Sequence, residues 1–338
     1  MTLRVGLLGA GFIAGVHLDA YARLQDVAVA GIADVNAERA AALAEKFEGA
    51  RAYSDASELI ARGDVDIVDI CLPTFLHEEY VTKAARAGKH ILCEKPIALD
   101  VDGADRMVQA ARDAGVKFMV AHVVRFWPEY AAAKRLLDAG EIGKAIEVSA
   151  TRLSTPPSWS AGGWILDPRQ SGGAVVDLLI HDIDYANWLL GKPVSVYARG
   201  LKSETGGYDH ILLTVSYAGG GVATLEGGRM MPSNFPFTTN FRILGERGCI
   251  DYSSRAGENI ESRGNAASAL AIYKHGEDVK YPHVPEIDAY LSEIGYFLDC
   301  VRNNTLPEIV TPEDALMALR VALAADQSIE TGGPIVIS

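Results

Sequence analysis

Short apolar runs punctuate the first third of the chain: Leu3 to Leu8, Val27 to Ala33, Val65 to Leu72, His90 to Cys93 and Val116 to Ala121. They lack the strict alternation of a strand with one wet face. Between them the spacing becomes helical. Asn36 to Phe47 opens on a residue that caps helix N-termini and continues with Ala, Glu and Arg, all good helix formers. Asp100 to Gly115 reads as a second capped helix, with the glycine ending it. Continuous apolar strands separated by helices predict a parallel sheet buried on both faces, so residues 1–121 are expected to form a doubly wound α/β domain.

Beyond His122 the periodicity changes. One helix, Pro128 to Ala139, precedes runs in which β-branched and aromatic residues alternate with polar ones: Ala145 to Leu153, Val194 to Leu201, His210 to Tyr217, Val222 to Glu226 and Phe237 to Leu244. Turns such as Gly219 to Gly221 separate some of them, which predicts a mostly antiparallel sheet. A strongly apolar helix is expected from Gly173 to Leu190, and a loop over Gly257 to Gly264. The chain returns to helices at Ile287 to Arg302 and Pro312 to Glu330 and ends in a short strand, Pro334 to Ile337. Residues 122–338 therefore read as an α+β domain, with the C-terminal helix free to pack back on the first domain.

The 338 residues carry 31 Lys+Arg against 44 Asp+Glu, a net charge of −13 with histidine neutral. No basic cluster appears, which argues against a nucleic-acid partner and against an anionic membrane surface. Val5 to Leu18 is free of charge but interrupted by glycines and too short to span a bilayer. The expectation is a cytoplasmic protein. The four cysteines, Cys71, Cys93, Cys249 and Cys300, lie far apart with no CxxC, which fits reduced thiols.

Gly9, Gly11 and Ala14 form GxGxxA directly after the first apolar run and at the start of a helix. A dinucleotide needs a tight turn, close backbone approach to its pyrophosphate and a helix N-terminus facing the anion. A Gly-rich turn with no nucleotide would share the three residues but would not require their position. Asp34 ends the second run, where a carboxylate accepts from ribose hydroxyls and repels a 2′-phosphate, pointing to NAD over NADP. Arg39 nearby keeps NADP open.

Pro73, Thr74 and His77 follow one apolar run, and Glu94, Lys95 and Pro96 follow the next. Both groups fall at strand carboxyl ends, the ligand-binding edge of an open α/β sheet. An ammonium emerging there can donate to a substrate hydroxyl and favour a developing alkoxide, while an ordinary ion pair with Glu94 is the competing reading. Asp177 and His181 lie four apart in the apolar segment, so they share one helix face, extended by Asp184 and Trp188. That face meets either water or a cavity. In a cavity, the aspartate can orient the imidazole and hold its charge as it takes a proton from an alcohol. No third ligand at a recognisable spacing supports a metal there. Trp159, Trp164, Asp167 and Arg169 crowd the loop before this helix and are candidates to line a hydroxyl-rich ligand.

Taken together, these pieces resemble the Gfo/Idh/MocA family of nicotinamide-dependent sugar and polyol oxidoreductases. The resemblance is carried by Gly9-Ala10-Gly11-Phe12-Ile13-Ala14, Asp34, Pro73-Thr74 with His77, Gly88 to Pro96, Arg125-Phe126, and Gly172-Gly173 leading to Asp177 and His181. Pro73-Thr74 stands where the family often has Thr-Pro, and Ala174 where it often has a third glycine. The resemblance implies a Rossmann domain followed by an open-faced, mostly antiparallel sheet that forms a homodimer or homotetramer contact, with hydride exchange at the junction of the two domains. It implies cofactor contacts from Gly9, Gly11, Phe12, Ile13, Ala14, Asp34, Thr74, His77, Glu94 and Lys95. Substrate contacts are implied for Lys95, Arg125, Trp164, Arg169, Asp177 and His181, with Lys95, Asp177 and His181 catalytic. The expected activity is NAD-dependent oxidation of a secondary alcohol of a sugar or cyclic polyol, or the reverse. Two alternatives remain: a nucleotide and sugar sensor, and an enzyme using NAD transiently in glycoside cleavage or epimerisation.

Overall fold

The computed structural model describes residues 2–157, 160–255 and 269–337. Its first part alternates β1 (Leu3–Leu8), α1 (Phe12–Arg23), β2 (Val27–Ala33), α2 (Ala37–Ala44), β3 (Arg51–Tyr53), α3 (Ala56–Ile60), β4 (Ile67–Ile70), α4 (His77–Arg86), β5 (His90–Glu94), α5 (Val101–Ala114) and β6 (Phe118–Ala121). The strands form one parallel sheet in the order β3-β2-β1-β4-β5-β6. Val5, Leu7, Ile32, Ile67, Val68, Ile91 and Leu92 are fully buried, as expected of strands covered on both faces. The helices begin as their sequences dictate: Asn36, Asp55 and Asp100 each cap a helix through a side-chain oxygen. The expected strands are present, with Val65 to Leu72 shortened to Ile67–Ile70 and Val116 to Ala121 to Phe118–Ala121. The short β3 and α3 carry too few apolar residues for a periodic signal and were not anticipated.

The second part comprises α6 (Pro128–Asp138), β7 (Ala145–Leu153), α7 (Pro168–Ser171), α8 (Ile180–Leu190), β8 (Pro193–Lys202), β9 (Tyr208–Tyr217), β10 (Val222–Gly228), β11 (Thr238–Gly245), β12 (Gly248–Arg255), β13 (Ala269–Tyr273), α9 (Ala289–Arg302), α10 (Pro312–Thr331) and β14 (Ile335–Val336). Eight of these strands form a sheet in the order β13-β12-β11-β7-β10-β9-β8-β14. Its pairings are antiparallel except that of β7 with β10, which is parallel. Alternation settles the faces. Val148, Ala150, Ile211, Leu213, Ala223, Leu225, Phe241 and Ile243 are buried, while Ile146, Tyr197, Leu212, Val222 and Leu244 on the opposite face are exposed. β12 and β13 were not foreseen, and the loop expected at Gly257 to Gly264 lies outside the described residues.

The chain divides into two compact units. One runs to Phe126 and is rejoined by Ile287–Leu316; the other takes up Trp127 and, apart from that returning segment, most of the remainder, with the boundary inside α10. Within the first unit α9 contributes Ile294, Phe297 and Leu298 to the core formed by β1, α1 and β2. Its N-terminus is capped by Asp288, which also pairs with Arg23 of α1. Within the second unit Tyr130, Tyr185, Phe241 and Tyr252 stack edge-on and face-on where α6 and α8 meet the sheet.

Three fully buried ionisable side chains, Arg152, Asp182 and Glu293, set testable energetics. Arg152 on β7 and Asp182 on α8 are both 0% exposed and share two hydrogen bonds of 2.7 and 3.0 Å. Removing one partner strands the other charge, so Asp182→Ala is expected to lower stability by about 3–5 kcal/mol. Urea unfolding measures this, and a loss no larger than the ~1 kcal/mol of an exposed pair would contradict it. On α9, Glu293 is fully buried, with no hydrogen-bond partner for either oxygen among the described residues. Burial, reinforced by the neighbouring Glu94 carboxylate, holds its carboxyl well above the ordinary glutamate range. A carboxyl raised in the folded state contributes fully only below the unfolded-chain value, and stability falls as pH climbs from there towards the raised one. Glu293→Gln is therefore expected to gain stability over the parent as pH rises from about 5 to about 8, with the advantage vanishing near pH 4. Thermal melts across that series check it; parallel curves would be the contrary result.

Candidate active site

The first turn of the parallel sheet is built around a backbone that tolerates no side chain. Gly9 has φ +98, and a Cβ there would stand 2.4 Å from the Cys71 carbonyl oxygen at the end of β4. At Gly11, by contrast, a Cβ would meet nothing within 4 Å. Gly11 is the N-cap of α1 and, having no side chain, supplies no side-chain cap to the helix N-terminus from that position. Ala14 is fully buried, Ile13 half-buried and Phe12 exposed at 43%. Asp34 is drawn into the same turn: its Oδ2 accepts from the Ala10 N–H at 2.7 Å and its Oδ1 from the Asn36 N–H at 2.7 Å. Each oxygen keeps a further lone pair for a ribose hydroxyl. Arg39 is exposed on α2.

Two further turns lie at strand carboxyl ends. After β4, Thr74 is 2% exposed and its hydroxyl has no hydrogen-bond partner among the described residues, which suits it to a ligand amide. His77 is fully buried, with its ring nitrogens 2.9 Å from the Pro96 and Leu72 carbonyl oxygens, so it braces the turn after β4 against the turn after β5. Burial holds its imidazole below the ordinary histidine value. Lys95 is half-buried after β5, and the Lys95–Pro96 peptide is cis. Its backbone N–H donates to Glu94 Oε2 at 3.0 Å. A glycine-rich turn at a helix N-terminus, a carboxylate at the end of β2 and a buried hydroxyl at the end of β4 together fit a nicotinamide dinucleotide.

Beneath Lys95 lies a set of groups not identified from sequence. His17 of α1 is fully buried; Nδ1 donates to Asp69 Oδ2 at 2.9 Å and Nε2 to Glu94 Oε1 at 3.1 Å. Tyr21 donates to the same Asp69 oxygen at 3.0 Å. Burial alone would lower the imidazole, yet Asp69, and after it Cys71, outweigh it and raise it well above its ordinary value. The signal was present: Asp69 interrupts an otherwise apolar strand, and a carboxylate there needs a partner. Among the described residues His17, Asp69 and Cys71 are the group whose ligand atoms, all within 4.8 Å, resemble a metal set. Burial, then Asp69, pushes the Cys71 thiol up to about 12, so it keeps its proton and donates to Asp69 Oδ1 at 3.6 Å.

In the second unit the apolar segment after Gly172-Gly173 is helical as expected, with one difference. Val175–Leu179 is a π-turn, and α8 follows it. Such wide turns recur at functional sites. Here a Cβ on Gly227 of β10 would stand 2.5 Å from Leu179 Cδ1, so glycine lets the sheet approach the wide turn. Asp177, 8% exposed, and His181, 3% exposed, lie about one turn apart and are removed from solvent. Arg229, just past β10, stands with Nη1 3.7 Å from Asp177 Oδ2. It is fixed by donating to Asp209 Oδ1 and to the Ile165 carbonyl, each at 2.8 Å. Arg229 follows a Gly-Gly pair with no periodic context and escaped the sequence reading. Trp164 is half-buried and Asp184 buried.

The two arginines expected to contact substrate each have protein partners. Arg169 is 89% exposed at its side chain and pairs with Asp167 at 2.9 Å, holding that carboxyl well below the usual range. Arg125 is 2% exposed and donates to the Ile309 carbonyl at 2.6 Å and to Asp314 at 3.2 Å, binding the returning segment to the first unit. Trp159 lies outside the described residues.

Comparison with known proteins gives this arrangement its place. A family described as "Oxidoreductase family, NAD-binding Rossmann fold" matches residues 3–122, and the "GFO/IDH/MocA C-terminal domain" matches residues 130–251. The inositol 2-dehydrogenase of Rhizobium meliloti (strain 1021) is 31% identical over 97% of this chain and 97% of its own. A myo-inositol dehydrogenase from Corynebacterium glutamicum superposes with a TM-score of 0.81 at 27% identity, covering 100% of this chain and 99% of that one. A levoglucosan dehydrogenase solved in complex with NADH gives 0.84 at 25% identity over 100% of both chains. The chain belongs to the Gfo/Idh/MocA family and is an NAD(P)-dependent dehydrogenase with an NAD-binding Rossmann domain at its N-terminus.

Proposed function

We propose that this dehydrogenase oxidises a secondary alcohol of a cyclic polyol or sugar, or reduces the corresponding ketone, with NAD as the preferred cofactor. The observation that carries the reading is the burial of Asp177 and His181 about one turn apart, with the Arg229 guanidinium beside the aspartate. A strip of solvated side chains would not be enclosed in this way. The names of the relatives, inositol and levoglucosan dehydrogenases, support hydroxyl-rich rings as the substrate class.

When bound, the nicotinamide accepts hydride from the carbinol carbon or returns it to the ketone. His181 takes the hydroxyl proton in oxidation, and Asp177 orients the imidazole and favours its charged form. Lys95, in the first unit, is assigned donation to a substrate hydroxyl, which favours a developing alkoxide. Asp34 accepts from the adenosine ribose, the first N–H groups of α1 face the pyrophosphate, and Thr74 and His77 shape the nicotinamide end. Trp164 supplies an apolar wall against which a sugar ring can lie. We further propose a homodimer or homotetramer joined through the face of the second sheet that exposes Ile146, Tyr197, Leu212, Val222 and Leu244. A cytoplasmic setting agrees with four cysteines that are all free.

A screen of inositols, aldoses, uronates and anhydrosugars, following reduced nicotinamide by absorbance, tests the activity, and reduced cofactor free in solution distinguishes net dehydrogenation from a hidden redox cycle. His181→Ala is expected to reduce turnover by about 10² to 10⁴ while leaving NAD affinity nearly intact; near-normal turnover would remove His181 from the mechanism. Asp34→Ser is expected to narrow the preference for NAD over NADP, measured as the ratio of the two kcat/KM values, and an unchanged ratio would count against the ribose contact.

A further inference from the structure

The buried cluster under Lys95 is larger than a core needs and is wired in one direction. On α1, His17 and Tyr21 face it; Asp69 comes from β4, Cys71 from the turn after β4, Glu94 from the end of β5 and Glu293 from α9, and the Tyr290 ring lies 5.9 Å from that of His17. Both ring nitrogens of His17 point at carboxylates, so both carry hydrogens, and the ring is an imidazolium clamped between Asp69 and Glu94. A charge so buried is tolerated only when paired on every side. Glu94 is the link outward. One of its oxygens is held by His17 and the other receives the Lys95 backbone N–H. The bridge therefore runs from the helix that starts at the dinucleotide turn to the peptide from which the lysine emerges, through two charge-assisted contacts of fixed geometry.

We infer that His17 is a positioning residue for Lys95: through Glu94 it sets the lysine's backbone relative to α1, and so places the ammonium for its work on the substrate oxygen. The inference rests on the proposed role of Lys95. A tight metal site in the same cluster is the less favoured reading, since the donor atoms that would bind it are already bonded to each other.

A double-mutant cycle in the full-length enzyme separates placement of Lys95 from general support of the fold. His17→Gln removes the positive charge and one of the two contacts; Lys95→Met removes the ammonium. His17→Gln is expected to lower kcat about 10- to 100-fold, the scale of a small misplacement of a reacting group. KM for the polyol should stay within about twofold, because the lost interaction belongs to the transition state. The double variant is expected to be no slower than Lys95→Met alone. Multiplying effects would overturn the inference, as would a His17→Gln enzyme with unchanged kcat per folded molecule. If Lys95→Met itself leaves kcat unaltered, the role of the lysine falls first and the inference with it, a distinguishable result. Should His17→Gln fail to fold, Glu94→Gln serves, since its carbonyl can still accept from the Lys95 N–H while its link to an imidazolium is lost. The same non-additivity with Lys95→Met is expected, and its absence would be equally decisive.

Discussion

The contact on which the first unit depends is the approach of the Gly9 backbone to the carbonyl of Cys71, so close that a single Cβ would collide. It seats the first turn directly on the end of β4. From that seat α1 departs behind a glycine N-cap, Asp34 reaches back to the Ala10 N–H, and His17 and Tyr21 arrive over Asp69. A glycine-rich turn is often described only by its ligand. Here it is equally the point at which one sheet carries a helix close enough to bury an ion pair, and the cofactor chemistry and the packing impose the same residue.

Both units solve the same electrostatic problem. Under the proposed function, a side chain assigned to the reaction is backed in each unit by a second charged group that has ionic partners of its own. In the first unit this is the imidazolium between Asp69 and Glu94. In the second, Arg229 is held by Asp209 and the Ile165 carbonyl and stands beside Asp177, while Arg152 and Asp182 tie α8 to β7. Asp209 in turn receives the hydroxyls of Ser203 and Thr205. Such pairs add little net stability compared with apolar isosteres, but they fix orientation, which the proposed transfer of a hydride at carbon and a proton at oxygen would require.

The sequence was most informative where local chemistry is unconditional. Unbroken apolar strands such as Val27–Ala33, capped helices such as Val101–Ala114, and the alternating β7 could be read because burial on two faces, capping and burial on one face each leave a distinct periodicity. The dinucleotide turn and Asp34 were legible because glycine and carboxylate are demanded at fixed offsets. Less local features were hidden. β3 and α3 are short and largely polar, and β12 with β13 are strands through their pairing partners rather than through their own composition. The π-turn depends on how closely β10 approaches it, which one segment cannot report. His17 and Arg229 matter through residues 52 and 20 positions away, and Arg125, for all its place in a recognisable dipeptide, binds a segment 184 positions downstream.

The parallel pairing of β7 with β10 has a consequence for how the second unit comes together. The two strands are neighbours in space, yet everything between them, including the wide turn, α8 and the β8–β9 hairpin, must be threaded before Val222–Gly228 can lie beside Glu147–Leu153. Closing so long a loop carries an entropic penalty that no local contact offsets, and non-local parallel ladders of this kind are slow to form. His181 and Asp177, to which the proposed chemistry is assigned, thus ride on the section of polypeptide enclosed by that ladder, so their placement waits on a non-local pairing.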